Sequence, residues 1–258
     1  TAAQVESYHR DGFVLIHDYL PTHDIALLRR VTRRDPAMRE RAFASSDAAG
    51  RTNLLNLRSK LGSDPCSAFA RHQKVVEPFE QLLGERVHFF HHKMMLKEPR
   101  TGGAWEWHQD YGYYYRTFLR DAMGGCMIAV DPATKENGCL QVLAGSHHFG
   151  RLDHRREGLQ NEVELAADPA RVEVLKDELP LVYCEMEPGS VLFFHASLLH
   201  HSAPNTSPDP RWALICNYTA ASNLPFTGDF IPRPADVWSE DQVRRAIERY
   251  EAQLLALD

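Results

Sequence analysis

The sequence predicts a mainly β protein with flanking helices. From Arg86 onward, short runs rich in β-branched and aromatic residues alternate with turn signals, which is typical of an all-β sandwich or barrel. Helical periodicity dominates before that point and returns at the C-terminus. No linker-like composition interrupts the chain. We therefore expect one domain over residues 1–258, with a helical front (1–85), a β core (86–224) and a C-terminal helix (about 239–257).

The helical front begins with two predicted helices. Residues 2–10 form the first, which ends at Gly12, and residues 13–16 (Phe-Val-Leu-Ile) follow as a buried strand. Thr22 or Asp24 can cap the second helix, which runs through about residue 34. Its apolar face carries Ile25, Leu28 and Val31.

The rest of the front is less regular. Residues 35–65 combine Asp, Ser, Gly and Arg without clear periodicity, so we expect loops there. Residues 67–83 carry apolar side chains at helical spacing, and Gly84 is a stop signal.

The β core consists of short predicted strands between strong turn markers. Asn137-Gly138 and Pro188-Gly189 are two such markers. The predicted strands are residues 86–97, 125–131, 139–143, 181–186, 190–195, 199–203 and 211–219. Residues 150–180 are polar and charged, and we interpret them as an insertion that is partly helical.

The C-terminal segment has a clear helix signature. Ser239 and Gln242 form a capping-box pattern at its start. The apolar stripe that follows comprises Val243, Ile247, Tyr250, Leu254 and Leu257. This pattern predicts one amphipathic helix.

Composition excludes several classes of protein. The net charge is −6, whereas a protein that binds a phosphate backbone normally carries a basic excess. The longest apolar stretch, residues 191–199, is interrupted by His195 and Ser197 and is too short for a membrane span. The five cysteines are widely spaced with no C-x-x-C pair, which favours reduced thiols. We expect a cytoplasmic protein whose partner is a small molecule.

Histidine is the anomaly in the composition, with 14 residues. The segment at 107–110 reads Trp-His-Gln-Asp, so His108 and Asp110 point to the same side of an extended chain and can bind one metal ion. His200 offers a third ligand after the predicted strand 190–195. Two imidazoles and one carboxylate form the facial triad of non-haem Fe(II) oxygenases.

Two further residues strengthen the case for such a site. Ser202 lies two positions after His200, on the same face of an extended chain. Arg211 opens the next predicted strand, and a guanidinium in an apolar barrel suits a bidentate carboxylate partner. The alternative for Arg211 is an exposed strand residue.

Taken together, the motifs resemble one enzyme family. They are W-H-Q-D at 107–110, N-G-C-L-Q-V-L-A-G-S-H at 137–147, P-G-S-V-L-F-F-H-A-S-L-L-H-H-S-A-P-N at 188–205, and Arg211. This set resembles the phytanoyl-CoA dioxygenase family of Fe(II)- and 2-oxoglutarate-dependent oxygenases, including its ectoine-hydroxylase-like and amino-acid-hydroxylase-like bacterial branches. The resemblance runs from about residue 5 to residue 224.

The resemblance implies both a fold and a site. The fold is a double-stranded β-helix (jelly roll) wrapped by helices. His108, Asp110 and His200 would bind iron, while Arg211 would bind the distal carboxylate of 2-oxoglutarate with help from Ser202. The cosubstrates would be 2-oxoglutarate and O₂, and the products succinate, CO₂ and an alcohol. Because family members that chlorinate lack the carboxylate ligand, Asp110 favours hydroxylation, although desaturation and ring formation use the same ligands.

Neighbouring histidines compete with His200 for the role of ligand. Only His200 has the family's Ser at +2 and Arg at +11, so we assign His201 no ligand role and His195 a supporting or core position. In the strand before the motif, His92 and Leu96 stand where ectoine-hydroxylase-like relatives carry Gln and Asn near the cosubstrate.

The aromatic run after the motif suggests where substrate binds. Trp107, Tyr113 and Tyr115 can form an apolar or cation-binding wall, and Arg116 can hold a substrate carboxylate. The alternatives are ordinary β-sheet aromatics and a solvated arginine.

We expect the substrate to be a small metabolite or natural-product intermediate whose unactivated C–H bond is hydroxylated. The alternatives are an acyl-CoA substrate, a metal hydrolase such as a zinc enzyme on a jelly roll, and a small-molecule binding protein without catalysis. A zinc hydrolase would need neither Arg211 nor Ser202.

Overall fold

The computed structural model describes residues 1–47, 49–155, 165–228 and 233–256. Its helices are α1 (Ala2–Asp11), α2 (Thr22–Arg34), α3 (Ala37–Glu40), α4 (Pro65–Phe69), α5 (Gln73–Leu83), α6 (Asp110–Tyr114), α7 (Pro169–Glu178) and α8 (Glu240–Leu255). Its strands are β1 (Phe13–Ile16), β2 (Phe43–Ser46), β3 (Thr52–Arg58), β4 (Val87–Lys97), β5 (Trp105–His108), β6 (Met123–Ala129), β7 (Leu140–Leu143), β8 (His154–Arg155), β9 (Ala166–Ala167), β10 (Leu181–Cys184), β11 (Val191–His195), β12 (His200–Ser202), β13 (Arg211–Ala220) and β14 (Arg233–Pro234).

Helix ends follow the signals in the sequence. Helix α1 ends at Gly12, which adopts a left-handed φ of 83°. Helix α8 begins with the predicted capping box, in which the Ser239 hydroxyl and the Gln242 side chain satisfy each other's backbone N–H groups. The predicted stripe along α8 is confirmed for Val243 and Ile247, which are buried. Leu257, its last predicted member, lies outside the described residues.

Two antiparallel sheets carry the fold. The large sheet has the strand order β1-β11-β6-β13-β4-β3-β2, with β14 also paired to β4. The small sheet has the order β10-β7-β12-β5. Strand β13 lies at the centre of the large sheet and is buried along its whole length. The predicted mainly β fold with flanking helices is therefore confirmed.

The two faces of the large sheet bury different cores. Along β13, Trp212, Leu214 and Tyr218 belong to a core that packs against the helices. Ala213 and Ile215, which alternate with them, belong to a second core shared with residues of the small sheet. Arg211 starts this strand on the inner face, so the fold places its side chain between the sheets.

One segment differs from its prediction. Residues 35–65, expected to be loops, contain the β2–β3 hairpin, which extends the large sheet beyond β4. Leu54, Leu55 and Leu57 pair in register with Leu96, Met95 and Lys93 of β4. Pairing with a long buried strand stabilises this hairpin, and a local pattern cannot show that pairing.

The interval at 150–180, interpreted as a partly helical insertion, contains α7 and the short β8–β9 pair. Residues 156–164 of the insertion lie outside the described part of the chain. Among the described helices, none combines the length and the apolar character that crossing a membrane requires.

Candidate active site

The structure brings together the three side chains that the motif selects. One ligand atom each from His108, Asp110 and His200 lies within 4.8 Å of the other two, and all three residues are buried. Among the described residues, this is the group whose geometry can hold a metal ion. The two imidazole rings approach with centroids 4.1 Å apart.

Backbone pairing between β5 and β12 creates this convergence. His200 is the direct cross-strand partner of His108 in the small sheet. Gln109 continues the extended chain, and α6 begins at Asp110, whose carboxylate consequently turns back toward the imidazoles. The side-chain Nε2 of Gln109 donates to the carbonyls of Gly150 and Ser197 at 2.8 and 2.7 Å, which fixes the chain between His108 and Asp110.

Both imidazoles are oriented by backbone carbonyls. Nδ1 of His108 donates to the carbonyl of Glu106 at 2.6 Å, and Nδ1 of His200 donates to the carbonyl of Leu198 at 2.9 Å. Because a carbonyl only accepts, Nδ1 carries the proton and Nε2 keeps its lone pair. Burial lowers the pKa of both rings, so they stay neutral and able to coordinate a metal.

Asp110 is held in its ionised form. Burial raises the pKa of this carboxyl, but nearby positive charge, chiefly the Lys93 ammonium, outweighs burial and holds the pKa below its usual range. Lys93 Nζ lies 3.5 Å from Asp110 Oδ1, and Asn217 Nδ2 donates to Oδ2 at 3.2 Å. Two neutral imidazoles and a carboxylate are a donor set that suits Fe(II).

Arg211 is buried in the same cavity. It is 2% exposed, its Nη2 donates to the carbonyl of Gly138 at 2.8 Å, and its Nε has no hydrogen-bond partner. Burial lowers its pKa to about 10, so the guanidinium stays charged at neutral pH. A buried cation with an unused N–H calls for an anionic ligand.

Lys97 is a polar residue of this region that the motif analysis did not select. Its Nζ donates to Ser202 Oγ at 2.9 Å and also to the carbonyl of Ala203. Lys97 pairs with Arg211 across β4 and β13, and burial, followed by the charge of Arg211, holds its pKa well below the usual range. Since the Ser202 oxygen accepts from Lys97, the Ser202 hydroxyl is left to donate to a ligand. No signal in the sequence marked Lys97, because its place opposite Arg211 depends on the pairing of two distant strands.

A cavity of about 420 Å³ joins these groups. Its lining includes the triad as well as Ser202 and Arg211, which lie between the sheets. Its apolar walls include Met127, Phe194 and Ile215. A mostly apolar cavity with a few convergent polar groups is the usual form of a small-molecule site.

The residues predicted to touch substrate are not all placed on this cavity. Tyr113 lines it, with its ring edge-on to His108 at 5.7 Å, and Tyr114 lines it as well. Tyr115 instead lies under the guanidinium of Arg151, and Arg116 is exposed. Neither is a lining residue. The reason is that residues 110–114 form α6, so successive side chains point in different directions.

Trp107 also lies away from the cavity. The β5–β12 register shifts between His200 and Ser202, so that Trp105 pairs with Ser202 while His108 pairs with His200. This irregularity places both Trp105 and His108 on the cavity. Trp107 stacks on His201 instead, with centroids 5.2 Å apart and an interplanar angle of 19°.

The structure does not place His92 and Leu96, the two positions singled out in the strand before the motif, on the cavity. On β4, His91, Lys93 and Met95 face the cavity. His92 lies on the opposite face, where its Nε2 is 3.0 Å from Ser67 Oγ, and Leu96 is in the helix-facing core. His92 and Leu96 are therefore not in a position to contact a ligand in the cavity.

His195 lies outside the triad, as expected. Its Nδ1 accepts from the backbone N–H of Ser197 at 3.0 Å, and its ring is 5.3 Å from that of His147. His147 in turn contacts the end of α1, with Nε2 3.1 Å from the carbonyl of His9. Both histidines are packing and hydrogen-bonding groups of the outer layer.

Comparison with known proteins agrees with the site geometry. Residues 8–213 match the family described as phytanoyl-CoA dioxygenase (PhyH). The chain belongs to this family. Membership confirms the predicted enzyme class, a non-haem Fe(II)- and 2-oxoglutarate-dependent dioxygenase.

Curated relatives match over most of their length. An L-proline trans-4-hydroxylase from Streptomyces griseoviridis is 29% identical over 235 residues, covering 84% of this chain and 86% of that protein. An ectoine dioxygenase from Bordetella bronchiseptica is 26% identical over 254 residues, covering 92% and 82%.

Solved structures confirm the jelly-roll fold. EctD from S. alaskensis, crystallised with 2-oxoglutarate and 5-hydroxyectoine, superposes with a TM-score of 0.75 at 21% identity. The match covers 93% of this chain and 87% of EctD. The epimerase SnoN, solved with Fe³⁺, α-ketoglutarate and nogalamycin RO, gives a TM-score of 0.72 at 22% identity, covering 93% and 96%.

Proposed function

We propose that this protein hydroxylates an unactivated C–H bond of a small metabolite, consuming 2-oxoglutarate and O₂ and releasing succinate and CO₂. The observation that carries the proposal is the convergence of His108, Asp110 and His200 at one end of a cavity that also exposes Arg211. Relatives that act on proline and ectoine support a small substrate, and the cavity of about 420 Å³ is in the range of small-molecule sites.

The three ligand residues would hold Fe(II), and their protonation is already suited to it. Neutral Nε2 atoms of His108 and His200 and the ionised Asp110 carboxylate need lose no proton on binding. A bound Fe(II) ion would supply the activation of O₂ that couples decarboxylation of 2-oxoglutarate to substrate hydroxylation.

Arg211 and Ser202 would hold the far carboxylate of 2-oxoglutarate. The guanidinium offers its unused N–H, and Ser202 offers the hydroxyl proton that Lys97 leaves free. Apolar walls around both residues exclude water and strengthen these charge-assisted hydrogen bonds. The cosubstrate would thereby be fixed at its distal end, away from the reacting atoms.

The test is anaerobic addition of Fe(II) and 2-oxoglutarate, monitored by visible absorption. We expect a charge-transfer band in the wild type and in His201→Ala, and no band in His200→Ala. Arg211→Ala should need about 10- to 100-fold more 2-oxoglutarate, because a hydrogen bond to a charged group contributes about 1.5–3 kcal/mol. Absence of the band in the wild-type protein would contradict the proposal.

A further inference from the structure

The cavity carries more positive charge than the proposed iron and cosubstrate sites use. Its lining residues include three cationic side chains, Arg41, Lys93 and Arg211, and one carboxylate, Asp110. Ferrous iron and Asp110 together leave one positive charge. The two carboxylates of 2-oxoglutarate compensate that charge and the charge of Arg211. Lys93 and Arg41 therefore remain uncompensated.

Lys93 is placed where it can reach a substrate. It lies on β4 between His91 and Met95, with its side chain 17% exposed. Its ion pair with Asp110 is long, at 3.5 Å, and Asp110 also accepts from Asn217. If Asp110 binds iron, its charge is shared with the metal, and a largely buried ammonium beside that centre needs another anion.

Arg41 stands at the mouth of the same cavity. It follows α3 and lines the cavity together with Phe43 and Leu57 of the β2–β3 hairpin. These two apolar side chains are 44% and 50% exposed, which is unusual for neighbouring large hydrophobic residues on one wall. Within the part of the chain that the structure describes, the Arg41 side chain makes no ion pair.

We propose that Lys93 binds an anionic group of the substrate, that Arg41 attracts this anion at the mouth of the cavity, and that the substrate is a small carboxylate with an apolar body. The apolar body would pack against Phe43 and Leu57, and the carboxylate would replace Asp110 as the main partner of Lys93. This inference rests on the proposed function, because it requires iron and 2-oxoglutarate to occupy their sites.

The experiment uses a matched pair of probes, cyclopentanecarboxylate and cyclopentanecarboxamide, which share a ring and differ in charge. Binding is measured by calorimetry on protein loaded anaerobically with Fe(II) and saturating 2-oxoglutarate. We expect the wild type to prefer the carboxylate at least about tenfold, as one charged hydrogen bond allows. The preference should fall below about threefold in Lys93→Met and persist in Lys93→Arg. Arg41→Gln should reduce it by a smaller factor, because exposed charges are screened.

Matched controls separate local charge from net charge. Lys60 and Arg249 are charged residues outside the cavity lining, so Lys60→Met and Arg249→Gln should keep the full preference. Equal binding of the two probes to the wild type would overturn the inference. So would a preference that survives in the Lys93→Met and Arg41→Gln double variant, or a carboxylate that displaces 2-oxoglutarate.

The charge-transfer band of the Fe(II) and 2-oxoglutarate complex distinguishes failure of this inference from failure of the function on which it rests. If the wild type gives no charge-transfer band, the proposed function fails. If the band is normal but the carboxylate preference is absent, only the inference fails. Should Lys93→Met not bind Fe(II) because Asp110 is disturbed, Arg41→Glu decides, since it reverses a charge away from the proposed metal ligands and should reduce the preference more than Arg41→Gln does. An unchanged preference in Arg41→Glu would then overturn the inference.

Discussion

At the scale of single residues, burial decides what each imidazole can do. His72 is 1% exposed, and its Nδ1 accepts from the backbone N–H of Lys74 at 2.9 Å, which caps α5. Burial lowers its pKa to about 4, although the nearby Glu240 carboxylate acts in the opposite direction. The capping role requires an unprotonated Nδ1, so acid removes the cap as well as charging a desolvated ring.

His72 should make the fold sensitive to acid. The unfolded chain binds this proton near pH 6.5 and the folded chain only near pH 4, so stability is complete above pH 6.5 and falls as pH drops toward 4. Both proteins should become less stable between pH 7 and pH 5. We expect the free energy of unfolding to fall by about 1–2 kcal/mol less in His72→Asn, which keeps a capping oxygen, than in the wild type. Urea unfolding at both values measures this difference.

The exposed His17 supplies the control for this measurement. His17→Asn should keep the wild-type dependence of unfolding free energy on pH. A His72→Asn protein that loses as much stability as the wild type would show that protonation of His72 does not weaken the fold.

The sequence could predict the triad but not its surroundings. His108 and Asp110 are two positions apart, and a motif of that spacing is visible without a structure. Lys93, Lys97 and His91 share one face of β4, and only the structure shows that this face is turned toward the space between the sheets. His92 lies on the opposite face, so a run of mixed polar and apolar residues does not reveal which face is which.

At the scale of elements, the turn before β7 supports the end of the cavity that contains Arg211. Gly138 has a φ of +77°, and a β-carbon there would overlap the carbonyl oxygen of Ala203 and come within 3.1 Å of Lys97 Nζ. Its own carbonyl accepts from Arg211. The Asn137-Gly138 signal in the sequence therefore marks a position where only glycine fits.

Substitution of Gly138 should lower the stability of the fold by more than the backbone strain of a positive φ alone. Gly84, at the end of α5, has a similar φ of +72°, but no atom lies within 4 Å of the point that a β-carbon would occupy, so Gly84→Ala should lose only about 1–2 kcal/mol of backbone strain. Gly138→Ala should lose about 1–3 kcal/mol more stability than Gly84→Ala, because the new β-carbon overlaps its neighbours. It should also bind 2-oxoglutarate more weakly. Denaturant unfolding and 2-oxoglutarate titration test both effects. Equal losses in the two variants would contradict this account of the turn.

The predicted elements differ from the structure where strand pairing, and not the local sequence pattern, determines the conformation. Residues 43–46 read Phe-Ala-Ser-Ser, which has no strong strand signal, yet they form β2 because Thr52–Arg58 pairs with them on one side and with β4 on the other. The irregular pairing of β5 with β12 was equally invisible, and it moved Trp107 off the cavity. Both depend on partners far away in the sequence.

At the scale of the whole molecule, the proposed ligands would connect the two sheets. His108, Asp110 and His200 belong to the end of β5, the start of α6 and β12, around the small sheet. Arg211 belongs to the large sheet, at the start of β13. A 2-oxoglutarate molecule held by the metal and by Arg211 would therefore span both layers.

This arrangement predicts stepwise stabilisation of the fold. A ligand at 100 times its Kd stabilises the native state by about 2.7 kcal/mol, which corresponds to roughly 5–10 °C in Tm for a chain of this size. Anaerobic Fe(II) should raise Tm, and 2-oxoglutarate should raise it further only when metal is present. Arg211→Ala should keep the first increment, because the three proposed metal ligands are unchanged, and lose the second, because the proposed partner of the distal carboxylate is removed. His200→Ala should lose both increments, and a chelator should reverse both in the wild type. An equal 2-oxoglutarate increment in Arg211→Ala and the wild type would mean that the cosubstrate does not span the sheets.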